Sequence, residues 1–377
     1  MIVLENEPSM VKPLIKVIGI GGAGGNAVNS MIEAGFDGIE FIAANTDAQA
    51  LNNSKADQKI QLGTKSTKGL GTGANPQLGR RAAEEDIERI LDKVGDAEIV
   101  FLTAGAGGGT GSGASPVIAQ ALKEKGILTI GIITKPFNFE GRRRELVAQE
   151  CLASLQKNID TLIVIPNQKL LELVDKNISM IDAFNMINNV LVQSVRSISE
   201  IITKTGHINV DFADLKTIMK DRGLALMGTG SASGENRAKE AAYKAINAPL
   251  LDSLNINGAQ GVLLNITGGN NLTLHEINDI ASIVYNESDS NAHIIIGSVV
   301  DPNLKDEIFV TVIATGFASK QAEKEDLSSS NIVLTAKKTS LEDNEKLKNN
   351  KKVEKIDLDD LDVPTFLRQR EQFNDNA

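Results

Sequence analysis

The sequence predicts an α/β protein: a Rossmann-like parallel sheet, a long central helix, a second α/β domain, then a polar tail ending in a short peptide. Three observations carry this. Near-continuous apolar runs alternate with helical patterns from Leu14 to Pro166, the mark of parallel strands buried on both faces. A single helical pattern then spans about Ser179 to Thr205. A second alternating stretch runs from about Asn209 to Phe317, after which Lys, Glu, Asp, Asn and Ser dominate.

Taken in order, Leu14–Ile20 reads as a buried strand that ends in the run Gly21-Gly22-Ala23-Gly24-Gly25-Asn26, a loop feeding a helix near Ala27. Ile39–Asp47 is a second strand and completes a βαβ unit. Strands at Glu98–Thr103, Leu128–Thr134 and Thr161–Pro166 extend the sheet. In the central helix, Ile181, Phe184, Ile187, Val190, Leu191, Val195 and Ile198 recur at three- and four-residue steps. They cover more than one face, which predicts burial between two domains. Gly261–Ile266, His293–Gly297 and Ile308–Ala314 are the strands of the second domain. From about Lys320 to Lys355 too few side chains could offset ordering entropy by burial, so a flexible linker is expected. Leu361-Asp362-Val363-Pro364-Thr365-Phe366-Leu367-Arg368 regains apolar residues. It reads either as a peptide that folds against a partner or as a disordered end.

Composition narrows the function. Hydrophobic residues make up 41% and charged residues 23%, as in ordinary globular domains. Aromatics are 3% with no Trp, so the core is aliphatic. A formal net charge of -10 argues against general binding to nucleic acid or anionic membrane. One cysteine, Cys151, excludes an internal disulfide framework, and three scattered histidines lack metal-ligand spacing. Without a signal-peptide pattern at the amino terminus or a membrane-spanning apolar run, a cytoplasmic protein is expected.

The glycines carry the chemistry. Gly19-Ile20-Gly21-Gly22-Ala23-Gly24 matches GxGxxG between strand and helix, with Asp47 at the next strand end, as in dinucleotide-binding domains. A ligand-free βα turn is the bland alternative. A second run, Gly105-Ala106-Gly107-Gly108-Gly109-Thr110-Gly111-Ser112-Gly113, follows another strand and precedes the helix-compatible Pro116–Leu122. Small residues let backbone N–H groups close around an anion at a helix start. No lysine lies in this run and GxxxxGK[ST] occurs nowhere, which excludes a P-loop. A third run, Gly69-Leu70-Gly71-Thr72-Gly73-Ala74-Asn75-Pro76, adds more backbone near the same strand ends. Three such loops point to a triphosphate cradle rather than to a nicotinamide-dependent oxidoreductase, which uses one. Glu140 and Arg144 flank a strand end, where they suit ribose and phosphate or simply begin a solvated helix. In Asn209-Val210-Asp211-Phe212-Ala213-Asp214-Leu215, two acids precede a helix. They read as caps, or as groups that polarise a water or hold a cation for nucleotide on another copy.

Together these motifs resemble the tubulin superfamily, and within it the FtsZ family of bacterial cell-division GTPases. The similarity lies in GGGTGSG at Gly107–Gly113, KVIGIGGAGGNAVN at Lys16–Asn29, NTDAQAL at Asn45–Leu51, TKGLGTGANP at Thr67–Pro76, TKPFNFEG at Thr134–Gly141, NVDFADL at Asn209–Leu215 and LDVPTFLR near the end. The resemblance implies a GTPase with Mg²⁺ at the phosphates and a site shared by adjacent subunits. Gly22, Ala23, Gly24, Gly25, Asn26, Gly73 and Ala74 would line GTP or GDP. Gly107, Gly108, Gly109, Thr110 and Gly111 would wrap the phosphates, Glu140 and Arg144 the ribose side. Phe184 would stack on guanine and Asn188 bond its edge. Asn209, Asp211 and Asp214 would complete the next subunit's reaction centre, with no metal ligand assigned by side chain. The implied organisation is a leader (1–12), a GTP-binding domain (13–178), the central helix (179–205), a C-terminal domain (206–318), a linker (319–357) and an adaptor-binding peptide (358–377) in which Asp362, Pro364, Phe366, Leu367 and Arg368 make the contacts. The implied role is a head-to-tail homopolymer forming the midcell ring of bacterial or plastid-type division, tethered by membrane adaptors. It would touch neither nucleic acid nor membrane directly. A filament for DNA partitioning or cell shape is the competing role.

Overall fold

The computed structural model describes residues 13–172, 178–204, 206, 208, 210–248, 251 and 256–317. Ten strands form one sheet: β1 (Ile15–Ile20), β2 (Ile39–Asn45), β3 (Gln58–Gln61), β4 (Ile99–Gly105), β5 (Leu128–Lys135), β6 (Thr161–Pro166), β7 (Gly223–Ser233), β8 (Gly261–Gly268), β9 (His293–Val300) and β10 (Glu307–Thr315). Their order is β3-β2-β1-β4-β5-β6-β7-β10-β8-β9. All neighbours pair parallel except β10, which runs antiparallel to both β7 and β8. The helices are α1 (Gly21–Ala34), α2 (Ala48–Asn52), α3 (Pro76–Glu85), α4 (Ile87–Val94), α5 (Thr110–Glu124), α6 (Arg142–Asn158), α7 (Asn167–Leu171), α8 (Met180–Thr203), α9 (Phe212–Met219), α10 (Arg237–Ile246) and α11 (Leu274–Glu287).

The aliphatic strands bury both faces, so helices must cover both. On one face Ile15, Val17, Phe101, Ile130 and Ile163 pack under Val28 and Met31 of α1, Val195 and Ile198 of α8, and Leu215 of α9. On the other, Ile18, Ile20, Val100, Leu102 and Ile133 meet Ile90 of α4, Ile118 and Leu122 of α5, and Leu155 of α6. Val262, Leu264, Val310 and Val312 carry α10 and α11 through Ala241, Ala245, Ile280 and Val284. The central helix is real, and its buried residues (Ile187, Leu191, Val195, Ile198, Ile201) join strands of both halves in one core.

The structure departs from the sequence reading in two informative ways. The glycine runs are not loops throughout: α1 begins at Gly21 and α5 at Thr110, so Gly22–Asn26 and Gly111–Gly113 are helical. At Gly24 and Gly111 the helical backbone lies so close to β4 that a Cβ would press on a carbonyl oxygen of that strand, which is why glycine occupies those two positions. The eleven-residue β7 has no counterpart in the sequence reading. A Cβ on its Gly228 or Gly230 would sit 2.0 or 2.2 Å from a carbonyl oxygen of α10. The glycines let a helix lie directly on the strand.

Candidate nucleotide-binding site

In an open α/β sheet, ligands bind beyond the carboxyl ends of the strands where the order reverses. Here that point lies between β1 and β4, adjacent strands whose following helices, α1 and α5, depart to opposite faces. The two helix starts meet: a Cβ on Gly21 would lie 3.1 Å from the Gly111 nitrogen. Neither start has a side-chain cap, since Ile20 precedes α1 and Gly109 precedes α5. Neighbouring helices are capped. Asp47 Oδ1 accepts from Gln49 N at 2.9 Å and Ala50 N at 3.1 Å; Asn75 Oδ1 accepts from Gln77 N at 3.0 Å and Leu78 N at 3.4 Å. The free N–H groups of α1 and α5 therefore converge on one anion site with both dipoles behind them. Asp47, held by backbone N–H groups, is a helix cap rather than the ribose ligand of a dehydrogenase.

The glycines divide by what a Cβ would meet. At Gly24 it would lie 2.4 Å from the Thr103 carbonyl oxygen, at Gly109 2.1 Å from Thr72 Oγ1, and at Gly111 2.6 Å from the Gly105 carbonyl oxygen. Those three close the walls. At Gly22, Gly25, Gly73 and Gly108 it would meet nothing within 4 Å, so their open faces form the cradle a ligand can fill. Ala23 and Asn26 are exposed beside them, and Gly107, at φ 101, turns the chain with its N–H donating to Ser112 Oγ at 2.8 Å. Thr110 Oγ1 lies 2.7 Å from Thr46 Oγ1 and 3.4 Å from Thr72 Oγ1, tying the Gly69–Asn75 loop to the start of α5. That loop is wound through left-handed residues: Gly69, Gly71, Gly73 and even Ala74, at φ 59. Strain of this kind collects at ligand-gripping loops.

A second wall comes from the β5–α6 turn and α8. Phe184 is 42% exposed and its ring stands edge-on to Phe137, centroids 5.8 Å apart; Phe137 stacks on Phe139 at 5.0 Å. Asn188, half-buried, lies one turn after Phe184 on the same side of α8. Glu140 accepts from the Phe137 N–H at 2.9 Å and pairs with Arg144. Asn167 is a residue that sequence reasoning missed. It follows β6, is buried, and its Oδ1 has no partner among the described residues. An orphaned buried amide oxygen at the ligand edge of the sheet fits a bound polar group. Only its place after a strand end (Ile165-Pro166-Asn167) signals it.

The acids stand elsewhere. Asp211 and Asp214 are exposed, and α9 has no side-chain cap bond from Asp211. Neither carboxylate makes a hydrogen bond or ion pair among the described residues. The far end of α9 is fastened to the amino ends of the strands: Met219 O accepts from Thr161, the first residue of β6, and Ile218 O from Thr315 Oγ1 at 2.8 Å. The cradle is at the carboxyl ends. Between them runs α8, 24 residues long and so about 36 Å. Asn209 lies outside the described residues, as do Asp362, Pro364, Phe366, Leu367 and Arg368.

A doubly wound sheet whose two uncapped helix starts converge on one open cradle without a Walker lysine, followed by a long core helix and a second α/β unit, defines a tubulin-like GTPase. Residues 14–175 match the Tubulin/FtsZ family GTPase domain and residues 223–318 the FtsZ family C-terminal domain. A solved structure described as "FtsZ dimer, empty" from M. jannaschii shares 44% identity over 82% of this chain and 89% of that one, with TM-score 0.78. A single-substitution mutant of M. jannaschii FtsZ shares 45% over 81% and 92%, again with TM-score 0.78. CetZ2 from Haloferax volcanii, a GTPgS-bound protofilament, is 21% identical over 85% and 99%, with TM-score 0.70, a likeness of fold. This chain belongs to the tubulin/FtsZ family and is a GTPase.

Proposed function

We propose that this chain is a self-assembling GTPase whose copies join head to tail, each completing its neighbour's reaction centre, and that its filaments form a division ring. One observation carries the reading: Asp211 and Asp214 are exposed, make no hydrogen bond or ion pair among the described residues, and begin a helix, α9, whose far end is fastened at the amino ends of the strands, away from the cradle. Helix α8 alone spans about 28 Å from Phe184 to Thr203, so a chain's own acids do not reach its own phosphates. A contact between unlike ends of two copies is heterologous and builds open filaments. The FtsZ dimer and the CetZ2 protofilament among the structural neighbours support self-association.

In this reading Gly22, Gly25, Gly73 and Gly108 admit the nucleotide, the N–H groups of α1 and α5 hold its phosphates, and Glu140 and Arg144 bracket the ribose. Phe184 and Asn188 take the base; Asn188 offers one acceptor and two donors to guanine. Asp211 and Asp214 of the incoming copy, with Asn209, orient the attacking water. Among the described residues no cluster of His, Cys, Asp or Glu could hold a metal. The Thr46 and Thr110 hydroxyls at the start of α5 are oxygen donors that would suit Mg²⁺ brought in with the nucleotide, and the ion would supply neutralisation of phosphate charge. Among the described residues no helix is long and apolar enough to cross a membrane, and a ring tethered through LDVPTFLR would be held by adaptors. Similarity to FtsZ over most of the chain favours division over DNA partitioning.

Sedimentation with GTP and with GDP tests the reading. The protein should pellet with GTP and remain in solution with GDP. Asp214→Ala should bind GTP and pellet yet turn over at least tenfold more slowly; undiminished turnover would remove that residue from the chemistry.

A further inference from the structure

Helix α6 begins with three arginines. Arg144 pairs with Glu140, but the side chains of Arg142 and Arg143 are exposed and make no ion pair or hydrogen bond among the described residues. Their placement is electrostatically adverse. They occupy the first turn of a 17-residue helix, where the dipole repels cations, and Gly141 before them provides no side-chain cap. The next acid on α6, Glu145, is engaged by Lys135 at 3.0 Å. Just before the helix Phe139 is 71% exposed, and Leu70 of the Gly69–Asn75 loop and Ile181 of α8 are 85% and 70% exposed. A rim that combines bare apolar groups with unneutralised cations is unfinished as a free surface.

The acidic turn of α9 is its complement. Asp211 and Asp214 are exposed acids without partners among the described residues, flanking the partly buried Phe212 and the exposed Ala213. Each turn lacks what the other carries, and α8 keeps them apart within one chain. We propose that Arg142 and Arg143 form a docking clamp for the acidic α9 turn of a second copy, setting the register in which that copy's acids meet the nucleotide. This rests on the head-to-tail reading above and adds the residues that recognise the partner. They are positioning residues: they hold the incoming turn and touch no reacting atom. Charges at an interface rim act on encounter rate and its salt dependence more than on the chemistry that follows, so the clamp should be felt in assembly rather than in nucleotide affinity.

The test uses the full chain with a slowly hydrolysed GTP analogue, reading sedimentation against protein concentration and salt. Arg142→Glu/Arg143→Glu should bind the analogue as wild type does, while the concentration needed for assembly rises at least tenfold. Arg142→Gln/Arg143→Gln should assemble with a flatter salt dependence. Adding Asp211→Arg/Asp214→Arg to the Arg→Glu chain exchanges the two charges, and assembly should return towards wild type. Wild-type chain that never pellets would defeat the head-to-tail reading itself. Wild-type chain that pellets alongside an unimpaired Arg→Glu variant would overturn the clamp alone. Loss of nucleotide binding in that variant would reassign the arginines to the nucleotide, and failure of the reciprocal exchange, with melting curves unchanged, would reassign their partner.

Discussion

Gly22 and Gly24 stand two residues apart in α1 and answer to different constraints. A methyl on Gly24 would press to 2.4 Å from the Thr103 carbonyl oxygen, against backbone that cannot move aside. Gly24→Ala should therefore lower stability by roughly 2 kcal/mol or more, the range of overpacked cores. Gly22 is helical and its Cβ position is open. There alanine removes the conformational penalty of a helical glycine, worth about 0.5–1 kcal/mol. Gly22→Ala should melt slightly above wild type without nucleotide, yet bind GTP at least tenfold more weakly because the methyl occupies the cradle. Thermal melting and nucleotide titration on the two variants check both halves. Equal GTP affinity in Gly22→Ala would remove that glycine from the site. The motif announces itself in the sequence as one run of small residues; only packing separates its walls from its opening. Asn167 shows the opposite limit, since a single amide carries no pattern and its orphaned oxygen exists only once the fold buries it.

Among elements, the α10–α11 layer is held by one polar clasp over its aliphatic core. Arg237, nearly buried, donates to Glu276 Oε1 at 2.6 Å and Oε2 at 3.1 Å, and to the Asn271 carbonyl at 3.2 Å. Glu276 also accepts from the Thr273 N–H at 2.8 Å in a capping box at the start of α11. The Arg237 guanidinium, with the Thr273 bonds, brings the Glu276 carboxyl down to about 2. A depressed acid stabilises the fold above its unfolded pKa and loses that contribution as pH falls through the folded one. The clasp should thus be worth about 3 kcal/mol at neutral pH, by the size of that shift. Urea midpoints of wild type and Glu276→Gln should differ most above pH ~5 and converge as pH approaches ~2, the window those two pKa values define. A gap that stays constant with pH would mean that charge contributes nothing. Elements were legible in proportion to their pattern. β1, β4, β5, β6 and α8 stand out because continuous apolar runs and helical spacing are local properties. β7 does not, because its glycines are explained by α10, a partner later in the chain, and the four-residue β3 is too short to show a period.

At the scale of the whole molecule, the division of labour between the two ends can be tested without reference to any single rate. Consider two variants, each inactive for a different reason. Asp214→Ala keeps an open cradle but brings no acid to its neighbour, whereas Gly22→Val brings Asp211 and Asp214 but cannot seat the nucleotide. If each reaction centre belonged to one chain, mixing the two would leave both inactive. In a heterologous contact, a Gly22→Val copy that offers its α9 turn to the cradle of an Asp214→Ala copy restores one complete centre. In an equimolar mixture about a quarter of the chains hold that arrangement, since half carry an open cradle and about half of those receive a Gly22→Val turn. GTP turnover in the mixture should recover towards that fraction of wild type, rise with total protein concentration, and vanish on dilution. Absence of recovery, with both variants shown to co-pellet, would place acids and phosphates within a single chain, against the α8 span that separates them here.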